Sequence, residues 1–321
     1  MTQLECNASV AAAPNRPLSV SILLLMKNER HNIERSFDTI TGQDYDGPVE
    51  IVYIDSGSTD GTIEFMRDRG IEPHVIPPEQ FHHGRTRNLA AAMAKHEILV
   101  LLSGDALPAN DQWLKHLIAP FEDPLVGGVY GKQLPSQEIG PLRCYALEYL
   151  YPERPEVREL PPGAPGSLRI VRSSNANSAI RADVWRRFKF HENVIVAEDH
   201  WISYNLLKHG LKMVYDPKAA VIHCHERSLW GELQFAVDNA ISLKRMGVFD
   251  DPAFQDEFSY GMDRVRKEWA HFTARGEYAY AFKGLAISIT KYVGVQLGKR
   301  EAHLPRWFLR RISAGYDGLL N

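Results

Sequence analysis

The sequence predicts an α/β fold, a mostly parallel sheet flanked by helices, continued by a helical C-terminal extension. Three observations predict it. Short apolar runs alternate with helical stretches from Leu18 to about Val129, the pattern of successive βαβ units. The runs are apolar throughout rather than alternating, as strands covered on both faces must be. Beyond Ser228 the chain becomes long, amphipathic and helical, with a break at Gly247–Pro252. At 321 residues, 44% hydrophobic and 24% charged, it can bury a large core of about two structural units, which excludes a disordered or fibrous protein.

The elements follow in order. Leu18–Leu25 (LSVSILLL) is the first strand, and Lys27–Arg30 leads into a helix near Ile33–Ile40. Val49–Ile54 is the second strand and Thr62–Arg69 the next helix; His74–Ile76 is a weaker strand, Gly84–Lys95 an alanine-rich helix and Glu97–Leu102 another buried strand. From about Ser136 to Ser173 the chain (YPERPEVRELPPGAPGS) is rich in Pro, Glu and Arg, which predicts a mobile or polyproline-like excursion able to fold over substrate. Regular structure returns at Ser178–Phe188, with a helix over Asp199–His209 and strands near Met213–Tyr215 and Ala220–His223. The expected divisions are a flexible leader, 1–17; an α/β domain, 18–228, split near residue 130; and a helical region, 229–321.

Composition narrows the function. A net charge of −3, from 37 basic and 40 acidic side chains, gives no global field for nucleic acid. Cys6, Cys144 and Cys224 are odd in number, far apart and without CxxC spacing, so neither a disulfide framework nor a zinc ribbon is predicted, and a reducing compartment fits. The first residues lack the basic start of a secretory signal. Leu18–Met26 is too short to span a bilayer, and Ala281–Gly298 is interrupted by Lys283 and Lys291. A cytoplasmic protein is expected.

Five stretches carry chemistry. In IVYIDSGSTDGT a strand delivers Asp55 into a polar loop where a carboxylate can accept a base N–H; an Asp turn, with Asp60 or Thr59 capping the next helix, has the same composition. Neither GxGxxG nor GxxxxGK[ST] is present, which disfavours dehydrogenases and P-loop NTPases. FHHGRTRN sets two imidazoles and two guanidiniums before a helix, a setting for a diphosphate, although a solvated basic turn reads alike. In LVLLSGDALP, Asp105 stands just past a buried strand, where a carboxylate suits Mg²⁺ or Mn²⁺ beside a substrate diphosphate. VAEDHW sets Glu198 and Asp199 at a helix start; neighbours on a helix point about 100° apart, so one of them faces a given cleft, and Asp199 is the chosen base. In VIHCHE, His223 and His225 share a face of a strand, and one of them could join Asp105 around an ion, His225 being the weaker candidate.

Taken together, SILLLMKNE, IDSGSTDGT, FHHGRTRN, LLSGDALP, SSNANSAIRADVW and AEDHW, followed by GLKMVYDPKAAVIHCHE, resemble the family 2 glycosyltransferases, and among them the bacterial rhamnosyltransferases. The likeness runs from about Ser19 to Ser228. It implies a Rossmann-like GT-A fold, a nucleoside-diphosphate-sugar donor, a divalent metal and inversion by direct displacement. Carried onto this chain, it implies that Met26, Asn28, Glu29 and Asp55 hold the base, Arg87 the diphosphate and Asp105 the metal. Asp199 would deprotonate the acceptor. The family's metal motif usually opens with an aspartate at the ribose, whereas Ser103 and Gly104 precede Asp105 here, which weakens the ribose contact and leaves the metal role. Asn177, Glu198 and Trp201 are expected on the acceptor side.

By the same resemblance the donor is dTDP-rhamnose and the acceptor a glycan or lipid-linked sugar in cell-surface polysaccharide synthesis. Lys291, Lys299, Arg300, Arg306, Arg310 and Arg311 gather near Trp307, Phe308 and Leu309, a mixture that suits peripheral contact with an anionic inner membrane face; a solvated basic helix is the alternative. Three rivals stand beside this reading: a UDP-hexose donor, a non-catalytic sugar-nucleotide binder, and a nucleotidyltransferase. The last is disfavoured because MKNERHN follows the first strand where a Gly- and Arg-rich loop belongs.

Overall fold

A computed structural model describes residues 16–161, 168–251 and 257–319. Most of the expected leader, Cys6, the residues GAPG of the Pro-rich stretch and Pro252 lie outside them. The first half repeats strand and helix: β1 (Val20–Met26), α1 (Arg30–Thr41), β2 (Val49–Asp55), α2 (Thr62–Arg67), β3 (His74–Val75), α3 (His83–Met93) and β4 (Ile98–Ser103). Then come β5 (Leu107–Pro108), α4 (Trp113–Ile118), β6 (Val126–Leu134), α5 (Pro141–Leu150), β7 (Glu156–Arg158), α6 (Leu168–Val171), β8 (Asn177–Arg181), α7 (Ala182–Phe188), α8 (Glu198–Lys208) and β9 (Lys212–Ile222). The C-terminal helices are α9 (Leu229–Arg245), α10 (Glu257–Ala274), α11 (Tyr278–Lys299) and α12 (Arg306–Ile312).

The strands form one sheet in the order β3-β2-β1-β4-β8-β6-β9-β5, with β7 also on β9. β1 to β4 are parallel, as the apolar runs of β1 and β4 predict. The sheet as a whole is mixed, because β8 runs antiparallel to both β4 and β6, and β5 and β7 run antiparallel to β9. Burial on both faces is visible within β1. Ile22 and Leu24 pack with Ile33, Ile40, Trp113 and Leu117 on one side, and Leu23 packs with Ala90 and Ala91 on the other. Each such side chain contributes about 1.5–3 kcal/mol. Register matters for function: Met26 pairs with Asp55 and Leu25 with Ser103, so β1, β2 and β4 end side by side and their loops share one rim.

Two sequence expectations change. The excursion from 136 to 173 contains α5, β7 and α6, because Leu147 and Ala146 find buried places against the body. The two short strands expected near 213 and 220 are one strand, β9. Pro217 split them in the sequence pattern, but its missing N–H falls where the β6–β9 register shifts between Gly131 and Gln133.

At that irregularity the fully buried Asn177 joins three elements. Its Nδ2 donates to the carbonyls of Lys132 (3.2 Å) and Ala219 (2.7 Å), and its Oδ1 accepts from Trp113 Nε1 (2.9 Å). The amide is fully engaged inside the fold, so Asn177 is no acceptor-side contact. Gly131 makes the approach possible, since a Cβ there would lie 1.8 Å from the carbonyl oxygen of Ala219.

In the tail, Gly294 and Gly298 let α11 lie directly on α9: added Cβ atoms would meet Ala236 Cβ at 2.7 Å and the Val237 carbonyl oxygen at 2.6 Å. The expected basic face is only partly exposed. Lys291 turns inward to Glu232 (3.1 Å), Arg310 pairs with Asp317 (2.8 Å) and Leu309 is buried, while Arg300, Arg306, Trp307 and Arg311 face out. No helix among the described residues is long and apolar enough to cross a membrane.

Asn177→Ala would strand the Trp113 indole N–H and two carbonyls in the core, each costing about 1–3 kcal/mol. We expect a loss of about 3 kcal/mol or more in urea unfolding, and an unchanged midpoint would refute this role.

Candidate active site

The rim above β1, β2 and β4 is assembled by hydrogen bonds between loops that are distant in sequence. Asn28, at φ 56°, donates its N–H to Ser58 Oγ (2.8 Å), and its Oδ1 accepts from the Thr59 N–H (2.8 Å). The N–H groups of Glu29 and Arg30 donate to Thr62 Oγ1 (3.0 Å) and Asp60 Oδ2 (3.0 Å). Met26 is buried and its carbonyl accepts from the Ser56 N–H (3.0 Å). Asp55 is fully buried: Oδ1 accepts the Ser58 N–H (2.6 Å), and Oδ2 accepts from Ser58 Oγ (2.7 Å) and Tyr53 Oη (2.5 Å). It therefore shapes the loop instead of meeting a base, and the exposed polar groups at this rim are those of Asn28 and its neighbours.

Past β4, Ser103 and Gly104 carry the chain to Asp105. A Cβ on Gly104 would come within 2.6 Å of Met26 Cγ and 3.0 Å of Glu29 Cγ, so the glycine lets the chain after β4 close up on the end of β1 and the loop that follows it. Burial raises the Glu29 carboxyl, and the nearby charge of Asp105 adds to this, against the hydrogen bond from Asn32.

Asp105 is met from the other end of the sheet. β5 pairs with the end of β9, Leu107 with Ile222, and His223 and His225 follow immediately. They lie beyond the strand end, not on it, with rings 4.9 Å apart and perpendicular. His225 Nε2 lies 2.7 Å from Asp105 Oδ2 and His223 Nε2 3.4 Å from Oδ1. The carboxyl is partly buried, which alone would raise it, yet hydrogen bonds from both imidazoles and their charges hold it well below the usual carboxylate range. The same bond raises His225. One ligand atom from each residue falls within 4.8 Å of the others, so both histidines stand with Asp105 as a group able to hold a cation.

A buried amide orients this group. Gln133 Nε2 donates to Ser174 Oγ (2.8 Å), which turns Gln133 Oε1 toward His223 Nδ1 (3.1 Å). A cation held here would take the lone pair of His223 Nε2, the atom that faces Asp105, with the ring proton then on Nδ1 against Gln133 Oε1. Gln133 had no sequence signal, because its role depends on the irregular pairing of β6 with β9.

The second carboxylate, Asp199, stands in the first turn of α8. Ala197, at φ 66°, turns the chain sharply there. Glu198 then points inward, buried, with Oε1 on Arg87 Nη1 (3.0 Å) and Asn175 Nδ2 (3.0 Å). Asp199 Oδ1 is held by the N–H of His200 (2.8 Å) and lies 2.7 Å from its Nδ1, whereas Oδ2 has no hydrogen bond among the described residues. Burial would raise this carboxyl, but the charge and hydrogen bonds of His200, with Arg87 behind them, keep it below its ordinary value. Trp201 packs its ring on His191 (4.9 Å) and Tyr204 (6.2 Å), so it wedges α8 in place.

FHHGRTRN turns out to support that helix. His82 Nδ1 caps α3 by accepting from the N–H groups of Gly84 (3.2 Å) and Arg85 (3.4 Å). A Cβ on Gly84 would lie 2.1 Å from the His191 carbonyl oxygen. Asn88 bonds the Phe190 backbone at both its carbonyl (2.9 Å) and its N–H (2.9 Å), and reaches Glu192 (2.8 Å) and Trp185 (3.0 Å). Arg87 Nη1 is engaged by Glu198 (3.0 Å) and by the His83 carbonyl (3.2 Å). Composition alone could not distinguish these uses, since the partners of Gly84 and Asn88, and the carboxylate of Arg87, lie about a hundred residues away in the chain.

Comparison with known proteins agrees with this architecture. The model for "Glycosyl transferase family 2" matches residues 21–172. The O-antigen chain rhamnosyltransferase RfbN of Salmonella typhimurium is 30% identical over 267 residues, covering 80% of this chain and 82% of that protein. WbaN of Salmonella anatum, described in the same words, is 29% identical over 266 residues, with coverage of 80% and 82%. Among solved structures, the mannosyltransferase PcManGT of Pyrobaculum calidifontis, in complex with GDP-Man and Mn²⁺, superposes with a TM-score of 0.56 at 20% identity, over 97% of this chain and 88% of that one.

Removing Arg87 would leave Glu198 charged and unpaired in the interior, a loss of about 3–5 kcal/mol, whereas removing both charges avoids it. Denaturation of Arg87→Met, Glu198→Gln and the double variant is expected to show the double variant recovering most of the Arg87→Met loss. Additive losses would argue against the pair.

Proposed function

This chain belongs to glycosyl transferase family 2, and on that premise we propose that it moves rhamnose from a nucleoside diphosphate to a hydroxyl of a glycan or lipid-linked acceptor, with inversion. That it is a glycosyltransferase of GT-A fold follows from the comparisons. The observation that carries the finer reading is the pair of unlike carboxylate settings. Asp105 is flanked by imidazoles beside the three strand-end loops, and Asp199 stands in the first turn of α8 with one oxygen unpaired.

In this reading the acceptor oxygen attacks the anomeric carbon as the bond to the diphosphate breaks, and the hydroxyl proton passes to Asp199 Oδ2. His200 and Arg87 keep that carboxyl ionised and ready to accept it. Asp105, His223 and His225 fit a divalent cation, and two nitrogen ligands beside one carboxylate favour Mn²⁺ over Mg²⁺, which takes oxygen ligands. When bound, such an ion would neutralise charge on the departing diphosphate. The names of the Salmonella relatives support rhamnose, and dTDP-rhamnose is the donor to try first.

Peripheral contact with an anionic membrane belongs to the same proposal. Arg300, Arg306 and Arg311 are exposed near Trp307, which is 71% exposed, and Phe282, at 62%, stands out from α11. Wild type should bind anionic vesicles at low salt, and a Trp307→Ser/Arg306→Gln/Arg311→Gln variant at least about tenfold more weakly. Absence of wild-type binding would retire the membrane contact.

The deciding experiment measures transfer, nucleoside diphosphate binding and Mn²⁺ binding together. Asp199→Asn should keep both kinds of binding and lose transfer by about 10²–10⁴-fold. Asp105→Asn should lose Mn²⁺ and the metal-dependent part of nucleotide affinity. Equal transfer by wild type and Asp199→Asn would falsify the base assignment, and preference for a UDP-hexose would replace rhamnose. Because the Asp199 carboxyl is lowered, transfer should persist below the usual carboxylate range and fall only as that group protonates. His200→Gln removes a lowering influence and should move this acid limb to higher pH.

A further inference from the structure

A second charged recess lies outside the machinery described above. It occupies roughly 520 Å³, part of it open to solvent, between α5, the segment after β9, and the helices α9, α10 and α11. Five cations line it: Arg143, Arg227, Arg264, Lys283 and Lys291. The three carboxylates beside them are largely engaged. Glu232 pairs with Lys291 (3.1 Å), Glu268 with Arg264 (3.6 Å), and Glu226 Oε1 accepts the Gly140 N–H (2.8 Å).

Arg143, Arg227 and Lys283 therefore have no carboxylate partner among the described residues. Arg143 Nε donates only to Cys224 Sγ (3.3 Å), a weak acceptor, and Arg227 lies over the Phe235 ring (4.2 Å). The two guanidiniums are close enough that each charge bears on the other and on His225. Like charges gathered in a recess without a counter-ion suit an anion whose oxygens accept several N–H bonds at once.

We propose that this recess binds a phosphate or diphosphate carried by the acceptor, while the donor diphosphate occupies the Asp105 end. The proposal rests on the glycosyltransferase reading of the first site and adds to it a class of acceptor. Its lining comes wholly from residues after Gly140, whereas the loops assigned to the donor follow β1, β2 and β4. Its position just after His225 would hold a phosphorylated acceptor next to the donor's leaving group without using the same ligands.

The test titrates inorganic pyrophosphate into the full-length protein by calorimetry, with and without saturating dTDP and Mn²⁺. Wild type is expected to bind pyrophosphate in both conditions. Arg143→Gln/Lys283→Gln should weaken the dTDP-saturated binding at least about tenfold and leave dTDP affinity unchanged. Glu226→Gln, which keeps the oxygen that accepts the Gly140 N–H, should tighten it about threefold. The opposite directions of the two variants exclude misfolding as the cause. Loss of the pyrophosphate signal once dTDP saturates, or equal weakening of dTDP and pyrophosphate, would assign the cations to the donor and overturn the proposal. So would pyrophosphate binding indifferent to the variants. If dTDP itself fails to bind, the donor reading fails, and the arm without nucleotide still decides whether the recess takes phosphate.

Discussion

The site depends on the pairing of β5 with the last residues of β9. Leu107 opposite Ile222 and Pro108 opposite Val221 place the carboxylate just before one strand beside the imidazoles just after the other. Neither segment could hold this position alone: β5 has only two residues, and His223 is further secured by its own N–H on the Leu134 carbonyl (3.1 Å). The anchor is Asn177, whose amide ties β9 and β6 to α4 from inside the core. Because the groups it satisfies are buried, leaving them unpaired costs more than the bonds themselves contribute, and this asymmetry is what makes the register specific.

A second constraint governs Asp199. The turn into α8 passes through a left-handed alanine, a conformation that persists only when neighbours over-determine it. Here α3 provides the neighbours. Gly84, Asn88 and Arg87 grip, in order, the His191 carbonyl, the Phe190 backbone and Glu198. This cluster of histidine, arginine and asparagine fixes the approach to the proposed base. The Arg87–Glu198 pair has a double effect, holding α8 in place and adding a positive field that keeps Asp199 ionised.

The C-terminal helices extend the same logic outward. Glycines at 294 and 298 bring α11 against α9, and the helices then close a recess whose cations outnumber its carboxylates. Lys291, expected on an outer basic face, belongs to this interior.

What the sequence determined by itself is what local pattern can encode. The parallel strands β1 and β4 were legible because burial on both faces demands apolar runs, and the positions of Asp105 past a strand and Asp199 at a helix start were legible because a carboxylate there stands out from such runs. The antiparallel insertion of β8, the single long β9 and the helix inside the Pro-rich stretch were not, since strand direction and pairing are properties of partners and not of either segment. The roles of Asp55, Arg87, Asn177 and Glu198 were likewise decided only by tertiary structure. A polar side chain with free hydrogen-bonding capacity reads the same in sequence whether a ligand or the fold will satisfy it. In Asp55, Asn177 and Glu198 the fold does, because each is buried where an unmet polar group would cost kilocalories, and the partly buried Arg87 is drawn to Glu198 as its counter-charge.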